Sequence, residues 1–497
     1  KPNTWLFASE LRALLASGLI DRRLDPAAMD AYLAFGAVPA PWTLLEGVQS
    51  ILPGETWRFD LSQPGGQLVP ERKRYWRPRF CAANTPKPTR AEAMERLRPV
   101  LQEAAALRMV SDVPVGVFLS GGIDSSSLVA ALVSQGYALR TFSVIFAERH
   151  FDESEHSRLV ARQFDTEHAE LFLRPAKVVE EFDQAVGAYD QPSIDGLNTY
   201  FISQAARQAG VKVALSGMGG DELFAGYPYF RLLARLERTL PRLGAWLVHQ
   251  AARRLAPRSI RTLKLAAVLA NGQSRLSRYA ICRQVMAPEL RQELLAQPAQ
   301  TLGRPLPAEV VAELEAAAAP LDAVNAHSLL ELSLYLANML LRDMDQMSMA
   351  HALELRDPLL DHVLVETMAS LPGSLKLAPG RSSRTKALLV DALPAALPNR
   401  VVRRSKMGFV FPWERWLRAE LRPRVAALLG DSATLQKAGL VPAAVQKLWN
   451  AFLASQPGVR YTDILALVHL LHWVRQHRLA VRPRLTATRR SSALYPT

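Results

Sequence analysis

Short apolar runs alternate with amphipathic stretches in the middle of the chain, and this pattern predicts a parallel β-sheet. The predicted strands are residues 115–119, 141–146, 169–173 and 211–215. The predicted helices between and beside them are residues 125–135, 154–164 and 198–208. Continuous apolar runs are typical of strands covered on both faces, and strands separated by helices favour a doubly wound α/β fold.

The segments on either side of this region have different patterns. Before it, we predict a strand at residues 4–10 that continues into a helix, a second helix at 26–35, and short strands near 53–54 and 57–60. A proline-containing polar linker at 81–90 then precedes a helix at 91–110. After about residue 227 the pattern is almost entirely helical. We therefore expect units at 1–80 and 91–480, joined by the linker at 81–90 and followed by a flexible basic tail at 481–497.

Composition restricts the class of protein. The chain has 497 residues, 49% of them hydrophobic and 21% charged, which is typical of a globular protein. It has no long apolar segment and no secretory signal pattern, so a cytoplasmic location is expected. Two cysteines far apart support neither a disulfide framework nor a structural zinc site.

The net charge of +14 does not by itself identify a partner. Part of the basic excess lies in the tail, and the basic residues have no aromatic interleaving and match no nucleic-acid recognition motif. The sequence therefore predicts small-molecule substrates, with neither a nucleic acid nor a membrane as partner. A homodimer is compatible with it.

The strongest chemical signal lies where the first predicted strand meets a helix. Its residues are Leu119-Ser120-Gly121-Gly122-Ile123-Asp124-Ser125-Ser126. The glycines let backbone N–H groups approach an anion, and the following helix adds its unpaired N–H groups. This loop predicts a phosphate site, and it lacks the G-K-[ST] ending of a Walker loop, so γ-phosphoryl transfer is not expected. Asp124 is interpreted as a Mg²⁺ ligand.

A second glycine-rich loop follows the predicted strand at 211–215. Its residues are Ser216-Gly217-Met218-Gly219-Gly220-Asp221-Glu222. Open α/β sheets bind ligands in a crevice at the carboxyl ends of their strands, so we expect the two loops to face one site.

These motifs resemble a known family. The first loop resembles the pyrophosphate loop of the N-type ATP pyrophosphatases, and both loops together resemble the synthetase domain of glutamine-dependent asparagine synthetases. Residues 348–361 resemble the S-M-A and E-x-R-x-P-x-L-D block of that family, and residues 386–412 resemble its K…LP…R-x-K-x-G-F-x-x-P segment. Residues 6–10 and 52–54 resemble the last part of its N-terminal-nucleophile glutaminase domain, which has an α/β/β/α fold.

The resemblance implies an amide-forming ligase that uses ATP and Mg²⁺ and passes through an acyl-adenylate. The implied ATP-binding residues are Leu119, Ser120, Gly121, Gly122, Asp124, Ser125, Ser126, Val144, Ser216 and Gly217. Asp124 and Asp221 would hold the metal, and Lys406 would stabilise the charge that develops when ammonia attacks. The implied acceptor-side residues are Met218, Gly219, Glu222, Arg356 and Lys386. Arg356 either reaches a substrate carboxylate or pairs with Asp361.

Three positions depart from the family pattern. The family's glutaminase uses a cysteine as first residue, whereas this chain begins with Lys1 and its nearest cysteine is Cys81. We interpret this as an N-terminal truncation and expect the chain to use free ammonia and not glutamine. Met218 and Gln346 replace residue types that lie on the substrate side in the family.

These departures leave the acceptor open. Aspartate is the leading interpretation. The alternatives are another carboxylate, such as a sugar acid or a peptide side chain, and a catalytically silent ATP-binding scaffold.

Overall fold

The computed structural model describes residues 4–62, 68–146, 154–239, 260–272, 274–297, 305–379, 384–404 and 411–482. The strands are β1 (Glu55–Arg58), β2 (Glu71–Arg74), β3 (Val115–Phe118), β4 (Arg140–Phe146), β5 (Glu167–Leu173), β6 (Val213–Leu215) and β7 (Glu354–Arg356). The helices before β6 are Leu11–Ala16, Pro26–Phe35, Arg90–Leu107, Ile123–Val133, Ser154–Gln163, Pro175–Glu180, Phe182–Gly187 and Leu197–Gln208. Those between β6 and β7 are Gly220–Leu223, Pro228–Thr239, Ile260–Asn271, Arg275–Arg283, Pro288–Leu294, Ala308–Ala318, Ala323–Leu330, the π-helix Glu331–Leu340 and Leu341–Met349. Those after β7 are the 3₁₀ turn Pro358–Leu360 and the helices His362–Ala369, Gly373–Lys376, Ala387–Ala392, Asn399–Val402, Trp413–Arg418, Arg422–Gly430, Ser432–Lys437, Pro442–Leu453 and Tyr461–His477.

The central sheet has the order β5-β4-β3-β6-β7, with every neighbouring pair parallel. The chain moves outward from β3 to β5 and then returns to the other side of β3 with β6. The order therefore reverses between β3 and β6, and the loops after these two strands flank the crevice that this reversal creates. The predicted parallel sheet is confirmed, with helices on both of its faces.

The two faces of the sheet have separate cores. On one face Val117 and Leu215 pack with the helices Arg90–Leu107 and Ile123–Val133. On the other face Phe142 and Ala214 pack with Ala206 of helix Leu197–Gln208. Both faces are covered, which explains why the strands read as continuous apolar runs.

Several strand expectations differ from the structure. Residues 4–10 and 53–54 do not form the predicted strands, and β2 and β7 were not predicted. Trp5 instead packs edge-on against Trp57, and its ring nitrogen donates a hydrogen bond to the Leu68 carbonyl. Strand β7 has only three residues and no apolar run, so its sequence shows no periodicity that would predict a strand.

The N-terminal segment shares its core with the C-terminal helices. Tyr32, fully buried on helix Pro26–Phe35, donates a hydrogen bond of 2.9 Å to the Ala466 carbonyl of helix Tyr461–His477. Asp30 on the same N-terminal helix forms a fully buried ion pair with Arg291 at 2.6 Å. The expected unit at 1–80 therefore packs into a core that includes residues far along the chain.

The expected linker also contacts the helices that follow it. Cys81 and Ala83 donate backbone hydrogen bonds of 2.9 Å to the carbonyls of Ala369 and Pro320. Of the expected tail, residues 483–497 lie outside the described residues. Within the described part of the chain, no helix is both long and apolar enough to cross a membrane.

Candidate functional site

The first loop presents hydrogen-bond donors at the end of β3. Gly122 precedes helix Ile123–Val133 with no side chain capping the helix, so the first N–H groups of the helix remain available to a ligand. The Ser125 hydroxyl accepts a hydrogen bond of 3.2 Å from the Ser120 backbone N–H, and the two hydroxyls lie 3.1 Å apart. Gly121 has φ +67°, and a Cβ there would lie 2.5 Å from the Cβ of His156. The loop can therefore hold an anion such as phosphate.

The second loop lies directly against the first. A Cβ on Gly217 would lie 2.9 Å from the Cβ of Asp124, and a Cβ on Gly220 would lie 2.1 Å from the Oδ1 atom of the same aspartate. Only residues without a side chain allow this approach. The two glycine-rich loops are therefore parts of one site, as the sequence predicts.

Lys386 joins the carboxylates of the two loops. Its ammonium contacts the Asp124 carboxylate and lies 2.8 Å from the Oδ1 atom of Asp221. Burial by itself would lower the pKa of Lys386, but the two carboxylates outweigh it and raise the pKa above its ordinary value. Lys386 therefore remains charged. Its contacts are to one carboxylate from each glycine-rich loop, whereas the family resemblance implies an acceptor-side role for it.

The carboxylate pair suits a Mg²⁺ ion held together with a substrate. Asp124 and Asp221 both reach one cation in the structure, the Lys386 ammonium, and carboxylate oxygens are the ligand type that Mg²⁺ prefers. The described residues contain no cluster of three or more histidine, cysteine or acidic side chains that could hold a metal. Two carboxylates completed by substrate phosphates are the usual protein arrangement for Mg²⁺.

A cleft of about 360 Å³ opens beside the two loops. From the predicted set it is lined by Leu119, Ser120, Asp124, Ser125, Val144, Ser216, Gly217 and Met218. Gly121, Gly122 and Ser126 belong to the first loop but are not among the lining residues, and Ser126 is fully buried. Phe118 and Phe142 add aromatic surface to the cleft.

The Ser216 hydroxyl is fixed by its neighbours. It accepts a 3.2 Å hydrogen bond from the Met218 backbone N–H and bonds to the Asp357 carboxyl group, while the Ser216 backbone N–H donates to the Arg356 carbonyl at 2.8 Å. Burial raises the pKa of Asp357 to about 7, and the hydrogen bond from Ser216 opposes part of this rise. Asp357 was not predicted as a site residue. Like the two glycine-rich loops, it directly follows a strand of the sheet, but that strand, β7, was itself not predicted.

Other predicted acceptor-side residues do not reach the cleft. Glu222 is buried and accepts a 2.5 Å hydrogen bond from the Tyr227 hydroxyl. Burial, followed by the nearby Asp221 charge, raises the pKa of Glu222. Gly219 has φ +90°, and a Cβ there would lie 2.2 Å from the Leu360 side chain. Both residues therefore support the conformation of the second loop and do not line the cleft.

Arg356 does not pair with Asp361 in the structure. It pairs with Glu354 at 2.6 Å and donates to the carbonyls of Arg108 and Val110. Asp361 pairs instead with Arg108 at 3.0 Å.

The family resemblance implies a substrate-side position for Gln346. In the structure Gln346 is not among the residues that line the cleft. Its side-chain oxygen accepts a 3.3 Å hydrogen bond from the Asp190 backbone N–H. Lys406 lies outside the described residues.

Part of the cleft wall is formed by residues that lie outside the two glycine-rich loops and that were not predicted from the sequence. Asp195, Asn198 and Thr199, at and before the start of helix Leu197–Gln208, line it together with Met344 of helix Leu341–Met349. The sequence carries no glycine-rich or charged motif at these positions that would have singled them out.

Comparison with known families gives two matches along the chain. The profile of the family described as "Asparagine synthase" matches residues 96–475, and that of the "Glutamine amidotransferase domain" matches residues 1–76. The first match contains both loops, Lys386 and the whole central sheet.

Curated relatives match over most of this chain. An "Asparagine synthetase [glutamine-hydrolyzing] 1" of Bacillus subtilis is 30% identical over 86% of this chain and 65% of its own length. A "Putative asparagine synthetase [glutamine-hydrolyzing]" of Mycobacterium tuberculosis is 31% identical over 83% of this chain and 62% of its own length. An "Amidase chyE" of Penicillium rubens is 25% identical over 88% of this chain and 71% of its own length. The chain spans slightly less than two thirds of the length of the two synthetases.

Proposed function

Because the chain belongs to the asparagine synthase family, we propose that it is an ATP-dependent ligase that forms asparagine from aspartate and ammonia through an acyl-adenylate. The observation that carries this proposal is the meeting of the two glycine-rich loops at the switch point of the sheet, with Lys386 between their carboxylates.

ATP would lie in the cleft beside β3 and β4. Leu119 and Val144 give an apolar surface for the base, and Ser216 and Gly217 would lie along the ribose. The phosphates would accept hydrogen bonds from the first loop and from the N–H groups at the start of helix Ile123–Val133. This placement leaves the wall with Asp195, Met218 and Met344 to the acceptor.

In the first step the acceptor carboxylate attacks the α-phosphorus of ATP, and the bond to the β-phosphate oxygen breaks. Pyrophosphate leaves with the negative charge. The Lys386 ammonium, held by two carboxylates and kept charged, is placed to stabilise that leaving group. A Mg²⁺ ion held by Asp124 and Asp221 would add positive charge at the phosphates.

In the second step ammonia attacks the carbonyl carbon of the acyl-adenylate. The nitrogen loses a proton, the carbon–oxygen bond to AMP breaks, and the amide and AMP are released. Lys406 remains the proposed cation for the charge that develops on the tetrahedral centre. For the protein as a whole, we propose glutamine as the ammonia source through the amidotransferase portion matched at residues 1–76.

A second candidate is an amide-forming ligase for another carboxylate. The observation that favours it is Met218, a thioether on the cleft wall that can neither accept a proton nor pair with a charged substrate group. The amidase name of the fungal relative is compatible with a different acceptor but belongs to that protein.

The test is to incubate the protein with MgATP and ammonium, with and without aspartate, and to measure AMP, pyrophosphate and asparagine. We expect equimolar AMP, pyrophosphate and asparagine only when aspartate is present. Pyrophosphate release that requires a different carboxylate would favour the second candidate. ATP binding without turnover on any carboxylate would contradict the ligase assignment.

A further inference from the structure

Asp195 carries an isolated charge on the cleft wall. Among the described residues, the ionisable side chains that line the cleft are Asp124 and Asp195. Asp124 contacts the Lys386 ammonium. No described residue donates a hydrogen bond to the Asp195 carboxylate, and removal from water is the cause that raises its pKa to about 6. At neutral pH this group is mostly an anion, and none of the described residues replaces the hydration that it has lost.

The backbone around Asp195 is held from several sides. Its carbonyl accepts a 3.0 Å hydrogen bond from the Tyr189 hydroxyl, and its N–H donates to the Ser193 hydroxyl at 3.4 Å. The next residue, Gly196, has no room for a side chain, since a Cβ would lie 2.7 Å from the Tyr189 ring. These contacts fix the backbone that carries Asp195 at the cleft wall.

Neighbouring contacts fix the same segment to other elements. Ile194 donates a 3.0 Å backbone hydrogen bond to the Gly36 carbonyl, and Ser193 donates its hydroxyl proton to the Asp343 carboxyl group. Burial, opposed in part by the Arg342 charge, raises the pKa of Asp343. Of these two carboxyl groups, Asp195 lines the cleft.

A fixed anion on the wall of a binding site selects a cationic group on the ligand. We infer that Asp195 binds the ammonium group of the acceptor, so that the acceptor is an amino acid and not a sugar acid or another carboxylate without an amine. This inference rests on the proposed ligase function and adds the residue that recognises the acceptor. The free ammonium ion that supplies ammonia for the second step could bind to the same carboxylate. The experiment therefore distinguishes binding of the acceptor's ammonium group from binding of free ammonium.

The experiment measures ATP–pyrophosphate exchange without ammonia, using either L-aspartate or succinate, which differ by the amino group. Asp195→Asn keeps the shape of the side chain and removes its charge. We expect the variant to raise the KM for aspartate by about tenfold or more, the size of a lost charged contact. The KM for ATP and the KM for succinate should stay unchanged, so that the preference of the wild type for aspartate is lost.

Asp463→Asn is the matched control, because Asp463 is a buried carboxylate on helix Tyr461–His477 that does not line the cleft. It should leave the ratio of the two KM values unchanged even if it lowers the melting temperature. Asp195→Glu should restore part of the aspartate preference, which a purely structural role would not produce.

Three results would overturn the inference. They are an unchanged aspartate preference in Asp195→Asn, an increase in the KM for ammonium alone, and exchange by the wild type with succinate in preference to aspartate. The last result would leave the amide-forming chemistry in place. Failure of the proposed function appears differently, as a wild-type protein that binds ATP but exchanges pyrophosphate with neither acid, and the inference would then fail with it.

Discussion

Lys386 contacts both carboxylates of the site and has a left-handed backbone conformation. Its φ is 50°, at the residue that precedes helix Ala387–Ala392. This conformation costs a residue with a Cβ about 1–2 kcal/mol. Strain of this kind persists where the surrounding structure enforces it, often at functional sites. Here it places the lysine side chain between the two loops.

Lys386→Ala keeps the Cβ and the backbone strain and removes the rest of the side chain with its ammonium. We expect pyrophosphate release to fall about a hundredfold or more, because the leaving group loses a preorganised cation and two carboxylates are left facing each other. Initial rates of pyrophosphate release measure this. Lys447→Ala, which removes an exposed lysine paired with Glu293, should leave the rate unchanged. A Lys386→Ala variant with normal kcat would remove Lys386 from the mechanism.

Lys376 gives a pH dependence of stability. It is fully buried, with its ammonium 4.7 Å from the Phe80 ring, and burial lowers its pKa from 10.5 to about 7 although Asp322 opposes the shift. Between pH 7 and 10.5 the unfolded chain therefore binds more protons than the folded one. The free energy of unfolding should rise with pH in this window by up to about 1.4 kcal/mol per unit from this group.

Lys376→Met isolates this contribution, because methionine fills the same apolar site without a charge. Urea unfolding at pH 7, 8 and 9 should show a smaller rise with pH in the variant than in the wild type, and a higher free energy of unfolding for the variant at pH 7. Parallel pH profiles for the two proteins would show that Lys376 is not desolvated in this way.

At the scale of elements, helix Pro26–Phe35 is joined to helix Pro288–Leu294 by the buried pair Asp30 and Arg291. Asp30→Ala should lower the free energy of unfolding by about 3–5 kcal/mol, because it leaves a buried guanidinium without its carboxylate. The double variant Asp30→Leu, Arg291→Met should recover most of that loss. Chemical denaturation measures both, and a loss below about 1 kcal/mol, the range of exposed pairs, would contradict the assigned burial.

The elements also differ in how far the sequence predicts them. Helix Pro26–Phe35 and strand β4 lie within one residue of their predicted bounds, because each carries its own apolar periodicity and local end signals. The predicted strands at 4–10 and near 53–54 did not form, and β2 and β7 were missed. Strand formation depends on a hydrogen-bonding neighbour, which local sequence does not encode.

At the scale of the whole molecule, residues 1–80 and the C-terminal helices form one core. Leu15, Tyr32 and Leu44 pack in the same cluster as Trp416 and Leu467. Each such buried side chain contributes about 1.5–3 kcal/mol, while a whole protein is stable by only about 5–15 kcal/mol.

A chain that begins at residue 81 should therefore lose cooperative unfolding and expose apolar surface. Thermal unfolding followed by circular dichroism, with binding of a hydrophobic dye, would detect this. A shortened chain that melts cooperatively at the wild-type temperature would show instead that the two expected units fold independently.

The sequence by itself determined the two glycine-rich loops, the parallel sheet and the family, because these features are encoded by neighbouring residues in the chain. Only the tertiary structure placed Lys386 between Asp124 and Asp221, brought Asp195 to the cleft wall, bonded Gln346 to Asp190 and paired Arg356 with Glu354. These contacts join residues far apart in the chain. They depend on how the helices pack against the sheet. Apolar periodicity shows which face of a helix is buried, but it does not show which element that face packs against.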